Sequence, residues 1–484
     1  AKGNTSLSMV ASSNSDRYSF KISFDEYVDG QNCDGLSKLV LNNNYSDATM
    51  MKEAICYDMF AFLGADASLY NYAKVSINGE YYGVYLALEP VEESFAMRNY
   101  GTDYGELYKP DSMEMGGPGK MKDWDGEMPD FTGEKPDFTS DADGAMEKPS
   151  GNPPQMPSGG DMPSPPDRTS DSDSEKNDNK GGDMGGTDFG MGSGSGANLN
   201  YTDDSLDSYE AIWEGSVFNT TDKDHRRVVK ALKNICSDDT DNKTLAEYMD
   251  VNNVLRYMAV QTFVVNLDSL SGNMAHNYYL YESDSKLNII PWDYNLAFGG
   301  FQSQDASDVI NFPIDTPFSS GVSTEDRQFF LSLLENEEYL EQYHDYLRQL
   351  TDEYVGGGIF ENTVSRITSQ IDDLVESDPT SFYSYTEYKS AVEMLKETVS
   401  LRAESIRGQL DGTIPSTRSG QESDTSALID SSSIDLNVMG VMNAGGGGGK
   451  EGDRNFGGSF AFGGDRSADG KNDNRPAPNG AGQV

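Results

Sequence analysis

Cysteine, histidine and basic residues are scarce in this sequence. Three cysteines, Cys33, Cys56 and Cys236, and three histidines occur among 484 residues. Cysteines that are few, odd in number and widely spaced form neither a disulfide framework nor a zinc pattern. A transition-metal site built from histidine and cysteine is therefore not expected. Any metal is expected to be a hard cation held by carboxylate and amide oxygens, which means Mg²⁺, Mn²⁺ or Ca²⁺.

Acidic residues outnumber basic ones, 81 against 36, and the net charge is -45. A charge of this sign repels nucleic acid and anionic membranes, so DNA and RNA are not expected as partners. No apolar run approaches the roughly 20 residues that span a bilayer. No signal peptide is visible either, but the chain opens at AKGNTSLS without methionine. We therefore expect a processed or truncated chain, in which a missing signal says nothing about export.

Residues 1–110 have the patterns of a small, sheet-rich domain. Alternating apolar residues predict strands, Ser46 or Asp47 followed by helical periodicity predicts a helix, and Asn78-Gly79 predicts a hairpin turn. The predicted elements are strands at 17–27 and 37–43, a helix at 46–64, a hairpin at 73–90 and a short strand at 106–110. We expect this region to be the nucleotide-binding lobe of an enzyme.

Two long segments have a composition that does not support a packed core. Residues 111–200 are rich in Gly, Pro, Asp, Ser and Met, and contain the tandem pair GEMPDFT and GEKPDFT. Residues 412–484 form a Gly-rich tail. Such segments bury too little apolar surface to offset the entropy of ordering, so both are predicted to be disordered. The hydroxyl residues of the insert are potential phosphorylation sites.

Residues 201–411 are mainly helical by periodicity, with one hairpin between the helices. The predicted helices lie at 205–218, 224–236, 244–266, 325–353, 360–377 and 385–411, and the hairpin strands at 278–282 and 287–293. The predicted class is α+β. A small sheet-rich region followed by a larger helical one is the layout of a two-lobed nucleotide-binding enzyme, although many other α+β proteins share it.

Polar residues around the hairpin suggest phosphoryl transfer. Asn273 follows Asp268 by five residues, and Asp293 ends the second strand. Kinases use a catalytic Asp, an Asn five residues later and a metal-binding Asp in this order. Asp268 and Asn273, taken alone, are equally compatible with turns. Asp293 follows an apolar IIPW run, so its carboxylate needs a metal or a basic partner.

The motifs HNYYLYE and LNIIPWDYNLAFGG resemble the signature of the spore-coat protein H (CotH) kinase-like family. KGNTSL, NGEYYGVYLALEPVEESF, GELYKP and RAESIRGQLDG are also similar to that family. The resemblance implies a two-lobed atypical Ser/Thr kinase that uses ATP with Mg²⁺ or Mn²⁺. It implies protein substrates on a bacterial surface or spore coat, the chain itself among them, and an extracellular location. Asp268 would be the catalytic carboxylate and Asp293 the metal ligand, with Asn273 or Asn295 as a further ligand.

A cation that grips the nucleotide phosphates should lie in residues 1–110. Lys21, Lys74 and Lys109 are candidates, with Glu89 as a possible acidic partner. Each lysine is equally compatible with a solvated surface position. Residues 1–110 contain no G-x-G-x-x-G motif. The insert lies where a connection between lobes is expected, so it could cover the cleft.

Two other functions are compatible with the sequence. The acidic insert and Gly-rich tail suit a non-catalytic surface or coat scaffold, or an adhesin, that retains the kinase-like fold for binding. The same segments could bind Ca²⁺ diffusely, but this is an argument from charge alone because no EF-hand loop is present.

Overall fold

A computed structural model describes residues 5–13, 15–110, 195–303 and 305–442. Lys2, Gly3 and Asn4 of the KGNTSL motif, residues 111–194 of the predicted disordered insert with its tandem pair, and the Gly-rich residues from 443 onward lie outside the described residues. The disorder predicted for 111–200 is wrong for residues 195–200, where Ala197 and Leu199 are fully buried. Within the described ranges, no helix is both long enough and apolar enough to span a bilayer.

The structure contains both helices and strands, so the predicted α+β class is confirmed. The strands are β1 Phe20–Ser23, β2 Lys38–Asn42, β3 Tyr70–Ile77, β4 Glu80–Leu88, β5 Glu106–Tyr108, β6 Tyr278–Ser283 and β7 Lys286–Pro291. The helices are α1 Thr5–Ala11, α2 Lys52–Leu63, α3 Glu93–Tyr100, α4 Glu210–Trp213, α5 Asp222–Ile235, α6 Asn242–Tyr248, α7 Val251–Val264, α8 Ala306–Ile310, α9 Gln328–Leu334, α10 Glu337–Arg348, α11 Ile359–Glu376, α12 Tyr385–Leu410 and α13 Arg418–Ser423. A π-helical stretch, Gln349–Val355, follows α10, and short 3-10 turns cover Leu206–Tyr209, Glu325–Arg327, Thr425–Ala427 and Leu436–Met439.

The strands form two antiparallel sheets. The first has the order β1-β2-β4-β3, with α2 inserted in the chain between β2 and β3. Asn78 and Gly79 both have positive φ, 54° and 87°, which confirms the predicted hairpin turn between β3 and β4. The second sheet, β5-β6-β7, pairs the strand at the end of the N-terminal region with the hairpin that precedes Asp293.

Several predicted helices are shorter in the structure because capping side chains lie inside the predicted spans and start or end a helix there. The helix predicted from 46 begins at Lys52, because Ser46 and Met50 have positive φ and Asp47 closes a turn onto the Lys52 backbone N–H at 3.0 Å. The helix predicted at 244–266 is two helices. The break occurs where Met249 is extended and pairs with β7, and Asp250 caps α7.

Three other predicted elements also change. The helix predicted at 325–353 divides into α9 and α10 because Asn336 caps α10. The strand predicted at 17–27 contracts to β1, since Arg17 is fully buried as a paired side chain and residues 24–36 form a loop. The helix predicted at 205–218 contracts to a 3-10 turn followed by α4.

Residues from both predicted lobes share one continuous apolar core. It runs from Val40 and Leu86 in the first sheet to Leu395 in α12. A buried ion pair adds to this connection: Arg17, just before β1, contacts Asp378, between α11 and α12, at 2.8 Å with both side chains inaccessible to solvent. The division into lobes at 110 and 201 stays a prediction.

The disorder predicted from residue 412 is wrong for residues 412–442, which we call the C-terminal segment. Met439 in this segment is fully buried and packs against α12. The buried Lys52 ammonium donates to the Gly440 carbonyl at 2.6 Å, and the Met442 backbone N–H donates to the Gly300 carbonyl at 2.7 Å. A few apolar anchors and backbone hydrogen bonds are enough to order a segment whose average composition is polar.

Candidate active site

The loop of residues 265–277, between α7 and β6, has an unusual backbone. Val265, Ala275 and Asn277 have φ values of 48°, 47° and 56°. Left-handed conformations are costly for side chains with a Cβ, most of all for a β-branched valine. Such conformations persist only where surrounding contacts impose them, and the loop therefore has to be held by its neighbours.

Two buried arginines and a glutamine hold this loop from inside the protein. Arg402 of α12 donates to the carbonyls of Thr262 and Phe263 at 2.9 and 3.3 Å, where α7 ends. Arg327 donates to the Leu270 carbonyl at 2.7 Å. Burial lowers the pKa of Arg402 to about 9 and also lowers that of Arg327. These cations are held by backbone carbonyls, which explains why RAESIRGQLDG begins with an arginine.

Small side chains complete the inner surface of the loop. The Gln261 amide donates to the hydroxyls of Ser269 and Ser271 at 2.7 and 2.9 Å. At Gly272, a Cβ would lie 1.8 Å from the Leu267 carbonyl oxygen, so no other residue fits there. The SLSGN sequence is therefore a tightly packed turn.

Asp268 lies in this loop with its carboxylate partly exposed and hydrogen-bonded on both oxygens. Its Oδ1 is 2.9 Å from Nε2 of His276. The Asn277 amide nitrogen donates to the Asp268 carbonyl at 2.8 Å and to Oδ2 at 3.0 Å. These contacts fix the orientation of the carboxylate while its side chain stays 14% exposed.

Asn266 connects the two candidate carboxylate residues. Its amide oxygen accepts the Asp268 backbone N–H at 3.2 Å, and its amide nitrogen donates to the Asp293 carbonyl at 3.5 Å. Asp293 follows β7 with a φ of 63°, a strained conformation for a residue with a Cβ. The structure therefore brings Asp268 and Asp293 to opposite ends of one fully buried asparagine.

The two predicted amide ligands have different surroundings. Asn273 is exposed, and its amide oxygen accepts a hydrogen bond from the Ser319 hydroxyl at 2.9 Å. Asn295 donates to the Tyr45 carbonyl at 3.1 Å. Asn277, which the kinase-like spacing does not select, is the asparagine that donates to the Asp268 carboxylate. The sequence feature that could have identified Asn277 is its position directly before the strand YYLYES.

The candidate nucleotide-binding lysines fall into two groups, those that contact Glu92 or Tyr279 and the exposed Lys74. Lys21 and Lys38, on neighbouring strands, both pair with Glu92, and Lys38 does so at 2.7 Å. Lys109 lies 5.9 Å from the centre of the Tyr279 ring. By contrast, Lys74 is exposed on the edge strand β3, over the Tyr81 ring.

Glu89 is not placed as a partner for any of these lysines. It is buried and pairs with Arg98 of α3, whose Nε lies 3.1 Å from the carboxylate. It also accepts the Leu69 backbone N–H at 3.2 Å. The structure therefore favours a structural role for Glu89, and it adds Lys38 to the lysines that the sequence singled out.

Comparison with protein families agrees with the motifs. A family model described as CotH kinase protein matches residues 1–152 and 168–406. The chain belongs to the CotH kinase family. A search of curated proteins found no match. The family match includes Asp268 and Asp293 but ends before the C-terminal segment.

In this CotH kinase family member, Tyr279 lies where the charged groups meet. Burial raises the pKa of Tyr279, and the negative charges of Glu92 and Asp293 raise it further. Both carboxylates therefore lie within electrostatic reach of one hydroxyl. Tyr279 also packs edge-on against Trp292 at 5.6 Å, directly before Asp293.

Glu92 is held in its charged form in this region. Burial raises its pKa, but hydrogen bonds from Lys21 and Lys38 outweigh that effect and leave the pKa below its usual value. The same contact raises the pKa of Lys38. Lys38, whose pKa is raised, therefore stays protonated at neutral pH.

The available donors of the CotH kinase family member match a hard cation. Within the described ranges, no group of three or more His, Cys, Asp or Glu side chains could hold a metal. Magnesium in phosphoryl-transfer sites uses one or two carboxylates together with substrate phosphates. The Asp293 carboxylate and the amide oxygens of Asn277 and Asn295 supply oxygen donors, and no described residue donates to the Asn277 amide oxygen. Carboxylate and amide oxygens are the donor types that suit Mg²⁺ or Mn²⁺.

Proposed function

We propose that this CotH kinase family member is an atypical Ser/Thr protein kinase that transfers the γ-phosphate of ATP to hydroxyls of surface or coat proteins. The observation that carries the proposal is the linkage of Asp268 and Asp293 through Asn266. A catalytic carboxylate and a metal-binding carboxylate must be held at fixed separation, and a shared buried asparagine provides this.

In the proposed reaction, Asp268 accepts the proton of the substrate hydroxyl. The hydroxyl oxygen forms a bond to the γ-phosphorus as the bond from that phosphorus to the β–γ bridging oxygen breaks. ADP leaves with the bridging oxygen, and the proton passes from Asp268 to solvent. His276 and Asn277 hold the carboxylate towards the substrate, with contacts of 2.9 and 3.0 Å to its two oxygens.

The proposed metal ligands are Asp293, Asn277 and Asn295, and Asn273, the ligand that the sequence suggested, is the alternative to Asn277. A bound Mg²⁺ or Mn²⁺ would neutralise the charge of the β- and γ-phosphates. The protein's own contribution is to present oxygen donors next to a strained backbone at Asp293.

The phosphate-binding cations are proposed to be Lys21, Lys38 and Lys109. Protein kinases place a lysine on a strand and follow that strand with a helix. Lys38 begins β2, which leads into α2, and the sheet order β1-β2-β4-β3 keeps β2 in the interior of the sheet. These features support a kinase-like N-terminal lobe with the cleft between Glu92 and Asp293.

The proposed location is the bacterial surface or spore coat. The family is associated with the spore coat, and the described helices include none that could cross a membrane.

The deciding experiment is transfer of label from γ-labelled ATP to a generic protein acceptor, with Mg²⁺ and with Mn²⁺. The wild-type chain should incorporate label, whereas Asp268→Asn and Asp293→Ala should reduce it to background. Asp373→Ala, at an exposed position on α11, is the matched control and should retain activity. Equal labelling by the wild type and Asp293→Ala would exclude a kinase.

The alternative, a non-catalytic scaffold, predicts a different result. ATP with metal should leave the melting temperature of a scaffold unchanged, whereas a kinase should be stabilised in proportion to nucleotide binding. Loss of that stabilisation in Asp293→Ala would favour the kinase even if the assay acceptor were unsuitable.

A further inference from the structure

A cavity of about 320 Å³ lies beside the loop that carries Asp268. Leu267, the residue before Asp268, forms part of its lining. So does Ser319, whose hydroxyl holds Asn273 of the same loop. Segments that follow Asp293 in the chain, from Gln302 to Ser320, form much of the remaining wall. The cavity therefore adjoins the catalytic loop and the segment that follows the metal-binding residue.

The lining of this cavity does not suit a nucleotide. Its charged residues are Asp308, Glu422 and Arg418, so carboxylates outnumber cations. The Arg418 guanidinium already donates to the Phe318 carbonyl at 2.6 Å. The lysines proposed to bind phosphate are not among the lining residues. We therefore expect the triphosphate to bind near Tyr279. The cavity is then free to bind the other substrate, the acceptor of the phosphate.

The size and the polarity of the cavity suit an extended polypeptide. A volume near the lower end of typical ligand pockets admits one or two side chains, not a folded domain. Amide and hydroxyl groups, such as those of Gln302, Ser320 and Gln421, alternate with the apolar side chains of Phe312 and Leu428. Such a mixture can pair with a peptide backbone and enclose an uncharged side chain.

One wall of the cavity comes from residues 418–428 of the C-terminal segment, beyond the family match. This wall is fixed to the body of the protein. The Asp315 backbone N–H donates to the Ser416 carbonyl at 2.9 Å, and the Arg418 backbone N–H donates to the Thr316 hydroxyl at 2.9 Å. This wall thus lines the same cavity as Leu267, the residue before Asp268.

We propose that this cavity is the acceptor site, in which an extended segment of another polypeptide places an uncharged side chain and presents its Ser or Thr hydroxyl to Asp268. Residues 418–428 determine which acceptors fit. This inference rests on the proposed kinase function and deepens it by naming the binding site of the second substrate.

The test uses the full chain with Thr425→Trp. Thr425 lines the cavity and is exposed, so an indole there narrows the cavity without disturbing the core. The probe is the most readily phosphorylated member of a peptide library with a central Ser or Thr. We expect KM for the peptide to rise at least 10-fold, while KM for ATP and the melting temperature stay unchanged. Ser423→Trp, exposed nearby on α13 but outside the lining, should leave both KM values unchanged.

An unchanged peptide KM in Thr425→Trp would overturn the acceptor site and leave the kinase proposal intact. If the wild type phosphorylates no library member and ATP with metal does not stabilise it, the kinase proposal fails. Photo-crosslinking from position 425 then decides the inference separately. Cross-links to added peptide that excess unlabelled peptide removes would support the site. Absence of such cross-links, or cross-links only within the same chain, would overturn it.

Discussion

Asn277 donates to both the backbone carbonyl and the carboxylate of Asp268, at 2.8 and 3.0 Å. This residue lies nine positions after Asp268, whereas the kinase pattern of Asp and Asn five residues apart selects Asn273. The contact makes Asn277 the asparagine that orients the proposed catalytic group. Its amide oxygen stays available towards a metal.

The first prediction separates these two asparagines. Asn277→Gly, which tolerates the left-handed φ of 56°, should reduce phosphate transfer about 10- to 100-fold, as loss of an orienting hydrogen bond does. Asn273→Gly removes only the contact with Ser319 and should change the rate less than about 3-fold. The measurement is label incorporation under saturating ATP and metal. The reverse order of effects would restore Asn273 as the ligand.

The sequence was most informative where local chemistry dictates structure. The Asn78-Gly79 turn and the apolar strand that delivers Asp293 are local signals. The asparagine beside the Asp268 carboxylate could not be chosen by counting, because it lies nine residues after Asp268 and not five. Lys38 was missed because its partner Glu92 lies 54 residues away in the chain. Such pairings depend on sheet order, which no local pattern contains.

The second prediction concerns the buried pair of Arg17 and Asp378. Asp378→Asn leaves Arg17 charged and inaccessible, and should lower the free energy of unfolding by about 3–5 kcal/mol. Urea denaturation followed by far-UV circular dichroism measures this loss. Asp345→Asn, which removes the partner of an exposed arginine, should cost less than about 1 kcal/mol. Similar losses of unfolding free energy in both variants would show that the buried Arg17–Asp378 pair adds no more stability than an exposed pair.

The third prediction concerns Arg402. Arg402 donates to the carbonyls of Thr262, Phe263, Ile310 and Phe312. Arg402→Met removes this donor from all four, and among the described residues only the Phe312 carbonyl keeps another side-chain donor, the Gln409 amide at 3.3 Å. Each buried carbonyl without a partner costs about 1–3 kcal/mol, partly offset by relief of the buried charge. We expect a net loss of roughly 3 kcal/mol in urea unfolding, and only partial recovery in Arg402→Lys, because an ammonium cannot span four carbonyls. Full recovery of stability in Arg402→Lys would show that the site requires only a positive charge and not the hydrogen-bonding geometry of the guanidinium.

The fourth prediction is a pH dependence at Lys52. Burial lowers its pKa from 10.5 to about 8, although the Asp47 charge opposes the shift. Between these two pH values the unfolded chain binds more protons than the folded one, so this lysine makes stability rise with pH. From pH 8 to 9.5 the free energy of unfolding of the wild type should gain roughly 1–2 kcal/mol relative to Lys52→Met. If the difference in unfolding free energy between the wild type and Lys52→Met does not change with pH, burial does not lower the pKa of Lys52.

The fifth prediction concerns the C-terminal segment. A chain that ends after Met442 should be as stable as the full chain, because every contact of the segment described above is kept. A chain that ends after Asp411 loses Met439, which is fully buried, and leaves Lys52 without the Gly440 carbonyl. Loss of one buried methionine alone costs about 2–5 kcal/mol.

The two truncations should therefore differ by more than about 3 kcal/mol in urea unfolding, since a buried ammonium also loses its acceptor. Met439→Ala in the full chain is the matched control, because it removes the buried side chain and keeps the backbone contacts with Ala48 and Lys52. The free energy of unfolding of Met439→Ala should lie between those of the two truncated chains. If the chain that ends after Asp411 matches the full chain in stability, the C-terminal segment adds no stability, and its role in the acceptor cavity would rest on catalysis alone.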